Sequence, residues 1–484
     1  MKPPTPWPSF RPTLLALAAA AALLAGCAAG PDYVRPTLDT PAPAAYKEAG
    51  PWRTAEPQQI DSQHPWWTLY GDSTLNDLIN QANMANQTVR QAEAAYRQAK
   101  AIADAARSGF FPTVGANAGA QRARTNTNGV KVGNGVNLGL DASWEPDLWG
   151  AVRRSVESGE AGTQASAADL AAAQLSIQAT LAQDYFQLRV IDMQSDLYVR
   201  TVDAYKKSLQ LTQHQYAAGV VLRSDVALAD TQLQQADAQR IDLQEQRAQL
   251  EHAIAILLGK APASFSLPPV DGLQARLPVI PTGLPSDLLE RRPDIAGAER
   301  RAAAANANIG VARAAYFPSL LLSASGGFDA ATVGTLFDAP SRVWSLGAAL
   351  AGTLFDGGLR KAHDAQAVAA YDGTVAAYKQ TVLSGFQEVE DNLASLRVLD
   401  QESTVQDKAV KSSQLSESLA LSQYRAGTAT YLSVITAQTL SLGNQRTAVQ
   451  LLGRQLVASV GLIKATGGGW SASALDSAPI AQAH

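Results

Sequence analysis

Apolar residues recur every seven positions along two unusually long stretches of this 484-residue chain. In the first, from about 151 to 213, Leu181, Leu188, Val202, Leu209 and Tyr216 share one grid, interrupted by Ser195. Ile177, Ile191, Tyr198 and Tyr205 share a second grid offset by three. Two interleaved grids form an a/d seam of the coiled-coil type. The stretch therefore predicts a single helix of about 60 residues, or about 90 Å at ~1.5 Å per residue. After Gly219, Leu222, Leu243, Leu250 and Leu257 continue on a grid of seven to Gly259. A second very long helix is expected from Gly358 to about 424, and a last one carries Ile435, Leu442, Val449, Leu456 and Ile463 on one grid.

Other segments alternate with period two. Val114, Ala116, Ala118 and Ala120 alternate with Thr113, Gly115, Asn117 and Gln121. Arg122 to Gly129 reads as a polar loop, after which Val132, Val136, Leu138, Leu140, Ala142 and Trp144 alternate with Lys131, Gly133, Asn137, Asp141 and Ser143. Further on, Leu320, Leu322, Ala324 and Phe328 share one face of a strand, and Trp344, Leu346, Ala348, Leu350 and Leu354 share the outer face of the next. This is apolar-out, polar-in alternation at about the length of a membrane-spanning strand. Each strand pair follows a helical pattern, one over about 74 to 109 and one from Ser286 to Ala315. Pro112 and Pro318 mark the two helix-to-strand switches.

The chain thus writes one plan twice. Pro112 and Pro318 lie 206 residues apart, and at that offset Glu93 meets Glu299, Arg107 meets Arg313, Trp149 meets Phe355 and Arg154 meets Arg360. The phrase Tyr216-Ala-Ala-Gly219-Val-Val-Leu-Arg-Ser-Asp225-Val226 recurs as Tyr424-Arg-Ala-Gly427-Thr-Ala-Thr-Tyr-Leu-Ser433-Val434. Each copy is a glycine break between long helical patterns, the tip of a helical hairpin. The expected organisation is a signal peptide at 1–26, an N-terminal strap at 27–70, a first repeat at 71–265, a linker at 266–285, a second repeat at 286–466 and a flexible tail at 467–484. Prolines exclude long helices from the strap and the linker.

The N-terminus supplies the address. Lys2 and Arg11 precede an apolar run from Leu14 to Leu24, too short for a membrane span, and Leu24-Ala25-Gly26-Cys27 closes it. Cys27 is the only cysteine, which excludes an intramolecular disulfide framework. The tetrapeptide is similar to the bacterial lipobox, in which the cysteine becomes the diacylated first residue. Ala28 and Ala29 after it, with no aspartate, suggest outer-membrane sorting.

Composition excludes more than it proposes. Net charge is -4 with 17% charged residues and no basic stripe, so nucleic acid is not an expected partner. The five histidines are scattered without metal-ligand spacing. Glycines 133, 135 and 139 do not complete a dinucleotide fingerprint, and Ser323-Ala-Ser-Gly-Gly327 is not a nucleophile elbow. No enzyme and no cofactor are expected.

Four alternating strands cannot stay an open sheet in lipid, because each unpaired backbone group there costs several kcal/mol. Nor can four strands enclose a lumen. They must close with strands of other copies, and a cyclic trimer gives twelve. The expected fold is mainly α with β: a trimeric 12-stranded transmembrane β-barrel, four strands per protomer, continuing into a long α-helical coiled-coil barrel.

At this point the sequence resembles the outer membrane factor family, the exit ducts of bacterial tripartite efflux pumps and type I secretion systems. Within it, the chain is similar to the lipoprotein branch that serves drug efflux. The resemblance rests on Gly30-Pro-Asp-Tyr-Val-Arg-Pro36 after the lipid cysteine, Trp66-Trp67 with Leu75 and Leu78, Phe111-Pro112, and Trp144-Glu-Pro-Asp-Leu-Trp-Gly150 with Arg153-Arg154. Leu289-Glu-Arg-Arg-Pro-Asp-Ile295, Phe317-Pro-Ser319 and Phe355-Asp-Gly-Gly358 complete it. It implies a homotrimer in the outer membrane lipid and a helical barrel through the periplasm. At the periplasmic tips it implies an iris that meets a periplasmic adaptor (membrane fusion protein) and an inner-membrane proton-driven pump of the RND type. The tips at Gly219 and Gly427 are then expected to contact the adaptor.

In the family a polar network between the two hairpins of neighbouring protomers holds the iris shut, and it maps onto Asp225 in the first tip and Tyr424 in the second. Members often carry an arginine at the position of Ala429 and aspartates at the positions of Ser433 or Thr436. A ring of facing aspartates would attract cations and raise the carboxyl pKa values. With Ser433 and Thr436 there, a less cation-selective ring is expected. Closure would then rest on Asp225 with Tyr424, on apolar packing by Val434 and Ile435, or on Arg223 or Arg425. The alternatives are a type I protein secretion duct and, from another class, a periplasmic coiled-coil lipoprotein scaffold.

Overall fold

The computed structural model describes residues 28–39, 41, 43–48, 65–126, 130–270, 272, 275–278, 280 and 285–476. The signal peptide and Cys27 lie outside the described residues. Seven helices longer than one turn are α1 (Ser73–Ala85), α2 (Gln87–Ser108), α3 (Ala151–Ala217), α4 (Arg223–Leu257), α5 (Pro293–Ala314), α6 (Leu359–Arg425) and α7 (Tyr431–Ala465). The strands are β1 (Thr113–Thr125), β2 (Lys131–Trp144), β3 (Ser319–Ala330) and β4 (Arg342–Ala351). The duplication is metrically close: α2 and α5 have 22 residues each, α3 and α6 have 67 each, and α4 and α7 have 35 each. At ~1.5 Å per residue, α3 and α6 are each about 100 Å long.

Contacts divide the chain into two units. The first holds residues up to Thr37, Ala95–Ser166 and Gly297–Tyr378, and contains the sheet. The strands are antiparallel in the order β1-β2-β3-β4, leaving one edge of β1 and one edge of β4 unpaired within the chain. The register sets Val114 opposite Ala142, Ala142 opposite Ala324 and Ala324 opposite Leu346, so the even-numbered side chains share one face. That face is apolar and open, with Trp344 and Leu346 each 76% exposed. The other face carries a polar ladder. Asn137 donates to Asn117 (3.1 Å), Asn117 donates to Asp141 (3.0 Å), and the Ser325 and Ser345 hydroxyls lie 2.8 Å apart.

Two strand boundaries differ from the sequence reading. β1 runs on to Thr125, because Arg122 and Arg124 pair with Asn134 and Val132 where a loop was expected. β4 ends at Ala351, so Leu354 lies beyond the strand.

The same unit holds the start of the strap. Ala29 N–H donates to Trp149 O (2.9 Å), and Asn306 Nδ2 donates to Pro31 O (3.0 Å). Gly30, at φ +91°, lies so close to α5 that an added Cβ would stand 2.4 Å from Gly310 Cα. Arg154 is buried and donates to Ala29 O (3.2 Å), Asp32 (2.8 Å) and Glu157 (2.7 Å). Tyr33 donates to Glu299 (2.5 Å). Burial, then that carboxylate, holds the Tyr33 hydroxyl above its usual pKa. Helices α2 and α3 meet closely, since a Cβ on Gly159 would lie 2.9 Å from Ala103 Cα.

The second unit holds Leu38–Ala94, Ala167–Ala296 and Lys379 onward. Its main core gathers Trp66, Tyr70, Leu75, Ile79, Leu181, Phe186 and Leu188 with Ile254, Leu456 and Ile463. Trp66 and Tyr70 therefore dock the end of the strap. Their polar atoms are satisfied: Trp66 Nε1 donates to Gln178 (3.2 Å), and Tyr70 shares a hydrogen bond with Ser459 (2.7 Å). Below the core, Ile191, Tyr198, Val202 and Tyr205 of α3 pack on Leu233, Ala236 and Leu243 of α4, the seam read from the sequence. Leu222 is not on it and stands exposed.

Three features of this unit were not legible beforehand. The helical pattern over 74–109 breaks at Asn86, whose ψ is 128°. Its Oδ1 accepts from the N–H groups of Thr88 (2.9 Å) and Val89 (3.1 Å), so it caps α2. The segment after α4 is pinned by buried charge: Arg189 donates to Pro268 O (2.9 Å), and Arg247 to Leu267 O. Both guanidiniums share Asp192, at 2.9 and 2.8 Å. Residues 467–476, the described part of the expected tail, pack on the helical unit. Gly467 at φ +93° sits on Arg291 O, and Ala472 N–H donates to Glu290 O (2.7 Å).

Candidate functional site

The two tips have the same backbone geometry. At the end of α3, Gly219 N–H donates to Tyr216 O (2.9 Å) and Val220 N–H to Gln215 O (2.9 Å). At the end of α6, Gly427 N–H donates to Tyr424 O (3.0 Å) and Thr428 N–H to Gln423 O (2.9 Å). Each pair is a Schellman cap, and both glycines sit at φ +74°, which only glycine adopts at little cost. Neither glycine is crowded, since nothing lies within 4 Å of an added Cβ. Their role in the chain is conformational: each turns a helix back on itself and leaves its loop exposed.

The side chains around the tips are not equivalent. Tyr216 is 46% exposed, whereas its counterpart Tyr424 is 4% exposed. Tyr424 packs against Tyr431 with ring centroids 5.2 Å apart, and with Ala229 and Val434 it forms a small buried cluster. The Tyr424 hydroxyl donates to Thr212 Oγ1 on α3 (3.4 Å). Tyr431 lies in the same buried cluster, near Ser208 and Thr212 of α3. Burial raises the pKa of both tyrosines, and the Asp225 carboxylate adds to the rise. The cluster ties the second hairpin to the first within one chain.

Asp225 acts locally here. It is the third residue of α4, and its Oδ2 accepts the Leu222 N–H (3.3 Å). This is one half of a capping box, the half that a leucine at the N-cap cannot reciprocate. A carboxylate in the first turn also meets the positive end of the helix dipole. Tyr424 donates to Thr212 rather than to Asp225. Arg223 and Arg425 are exposed and form no ion pair among the described residues. Val434 is fully buried inside the chain, with Ile435 packed beside its cluster.

Ser433 and Thr436 are exposed on α7 and satisfied by their own helix. The Ser433 hydroxyl meets Thr430 Oγ1 (3.1 Å), and Thr436 Oγ1 donates to Leu432 O (2.9 Å). Both line a groove of about 710 Å³ between α6 and α7, with Leu415, Leu419, Leu432 and Leu440 on its walls. No charged side chain lines it. At the other end of the plan, Pro112 and Pro318 precede β1 and β3. Pro318 is braced by Trp149, whose Nε1 donates to its carbonyl (2.7 Å) while the indole stacks on Phe317 at 4.8 Å.

The structure thus brings Tyr424 to Thr212, sets Asp225 at a helix start, and leaves Ser433 and Thr436 on an open wall. Sequence reasoning missed Ser208, Thr212 and Tyr431. A signal was present: the grid of Ile191, Tyr198 and Tyr205 has its next member at Thr212, a polar residue on an apolar seam. Among the described residues no cluster of His, Cys, Asp and Glu could hold a metal ion.

Comparison with known proteins fixes the family. The model of the outer membrane efflux protein family matches residues 78–260 and 284–468, one segment for each copy of the plan. The chain is 32% identical over 468 residues to the pyoverdine export outer membrane protein OpmQ of Pseudomonas aeruginosa, covering 94% of this chain and 97% of that one. The outer-membrane channel OprN superposes with a TM-score of 0.84 at 33% identity, covering 92% of this chain and all of that one. The Neisseria gonorrhoeae MtrE outer membrane channel, solved in its open state, gives 0.81 at 29% identity, covering 92% and 98%. The four-stranded sheet, the paired 67-residue helices and these matches agree, and the chain belongs to the outer membrane efflux proteins, a family of transport channels of the outer membrane.

Proposed function

We propose that three copies of this chain form the exit channel of a tripartite efflux system, with the paired hairpin tips as its gate. The observation that carries this reading is the four-stranded sheet with two open edges and an exposed apolar face. In lipid those edges must find partners. Three chains joined β1 to β4 around a cyclic axis supply twelve strands and leave no edge. The long helices then continue the barrel as a tube, and Cys27 carries acyl chains that anchor each copy to the outer membrane.

The channel itself supplies no energy. An inner-membrane proton-driven pump moves small toxic molecules. A periplasmic adaptor grips the loops at Gly219 and Gly427 and, by binding the open state better, shifts the tips towards it. Asp225, Tyr424, Ser433 and Thr436 belong to this gate. Asp225 holds the start of α4, Tyr424 locks the second hairpin to the first, and Ser433 and Thr436 give an uncharged wall. The test is reconstitution of the purified full chain in planar bilayers. Discrete conductance steps are expected, and a strain lacking its own efflux channels should regain export when the partner adaptor and pump are supplied. Protein that inserts without conductance steps would refute the channel reading.

A further inference from the structure

The lipid-facing side of the sheet carries three positive charges that transport does not use. In the observed register the even-numbered residues form the apolar face, and Arg122, Arg124 and Arg342 are even-numbered members of that face. All three are exposed, and none pairs with a carboxylate among the described residues. An arginine facing lipid at mid-membrane costs ~2–4 kcal/mol, and near zero only at the interface. Their positions meet that condition. Arg122 stands ten residues along β1 from the switch at Pro112. Arg342 stands ten residues along β4 from Gly352, where an added Cβ would lie 3.1 Å from the second switch, Pro318. Ten residues at ~3.4 Å, tilted by about 40°, rise about 26 Å, against an apolar band of about 25 Å.

The surroundings have the same logic. Arg342 pairs across the sheet with Phe328, and Phe337 of the β3–β4 loop folds edge-on onto Phe328 at 5.3 Å. Phe337 is itself exposed, as is Trp344 on the same apolar face. Aromatic rings followed by guanidinium groups at the end of an apolar strand face suit an amphiphile with acyl chains below and phosphate above. Nearby acids do not cancel the charge: Asp329 is odd-numbered and belongs to the opposite face, and Asp338 lies in the loop.

We propose that Arg122 and Arg124 on β1 of one copy and Arg342 on β4 of the next, brought together where the open sheet edges of neighbouring copies meet, form a binding surface for a phosphorylated glycolipid of the outer leaflet. The guanidiniums hold its phosphates, and its acyl chains lie along Phe328, Trp344 and Leu346. The inference rests on the sheet facing lipid, and goes beyond the conduit itself.

The test uses the purified, folded full-length channel and bisphosphorylated lipid A, with binding read by native mass spectrometry. Each arginine–phosphate contact is expected to contribute about fivefold, so R122Q/R124Q/R342Q should bind about 100-fold more weakly. The R122K/R124K/R342K variant should retain most of the affinity. Dephosphorylated lipid A should bind wild-type protein about 100-fold more weakly than bisphosphorylated lipid A does, a comparison that needs no variant to fold. Equal affinity of wild type for the two lipids, or glutamine-variant binding within twofold of wild type, would overturn the proposal. Conductance of the glutamine variant should be unchanged; its loss would point to a pore role for these residues and also overturn the assignment.

Discussion

Removing the Asp225 carboxylate perturbs the start of α4 in two separable ways. Asp225→Ala deletes the hydrogen bond to Leu222 N–H, which at 3.3 Å is a long one. It also removes a negative charge from the first helical turn. A side-chain hydrogen bond contributes ~0.5–1.5 kcal/mol and a first-turn charge ~0.3–1 kcal/mol. The bond is long and the site half-exposed, so we take the lower ends and expect about 1 kcal/mol in total. That is roughly a fivefold shift per tip towards a frayed loop. Asp225→Asn keeps an oxygen acceptor at the same place and loses only the charge. The readout is single-channel conductance and open time in planar bilayers, with all three copies altered. Asp225→Ala should open the pore measurably more often, and Asp225→Asn should stay near wild type. Equal opening by the two variants would refute the capping argument and assign the effect to charge. No change in Asp225→Ala would remove Asp225 from the gate.

Three other outcomes follow from the geometry. Gly427→Ala meets no atom within 4 Å but must hold φ near +74°, so it should cost about 1 kcal/mol, seen as faster hydrogen exchange confined to Tyr424–Tyr431; exchange equal to wild type would contradict it. Gly310→Ala drives a Cβ to within 2.7 Å of Ala29 O and of the Arg154 side chain, so limited proteolysis should release the strap first, and a strap as resistant as wild type's would count against its docking. Burial, and then the hydrogen bond to Asp72, pushes the Tyr185 hydroxyl up to about 12, and burial does the same for Tyr205. Both values lie above the unfolded value of ~10. Their stabilisation is complete below that value and is lost as pH rises from about 10 to 12. Thermal melting followed over that range should fall steeply, and less so in Tyr185→Phe; identical slopes in the two proteins would contradict the assignment.

The sequence carried those parts of the fold that follow from periodicity. Leu181, Leu188, Tyr198 and Tyr205 sit in the buried seam because a helix returns to the same face every seven residues. Leu138, Leu346 and their neighbours share one face because strand side chains alternate. What stayed hidden depends on single side chains meeting distant backbone. Asn86 looks like another polar residue in an Ala/Gln run until its amide caps the next helix. Arg189 and Arg247 look like solvated charges until they hold the carbonyls of Pro268 and Leu267. The tail looked unstructured from its composition, yet Gly467 is needed where a side chain would strike Arg291 O.

At the tips, the sequence marked the turns and the difference between the halves, and the contacts within one chain add partners that it did not show. The family resemblance reads Tyr424 and Asp225 as partners between neighbouring copies. In the chain they are neighbours coupled through charge, while Thr212 takes the hydroxyl. Nothing local in the string Tyr424-Arg-Ala-Gly427 says which residue of another helix, 212 positions away, will stand opposite.

The central claim is that the open edges of β1 and β4 meet across three chains. Cysteine pairs scanned along Thr113–Thr125 and Arg342–Ala351, in otherwise wild-type full-length protein in outer membranes, test it most directly. Oxidation should give covalent dimers and then trimers at registers spaced by two residues, with nothing larger. Crosslinks confined to single chains, or a ladder running past three, would contradict the account.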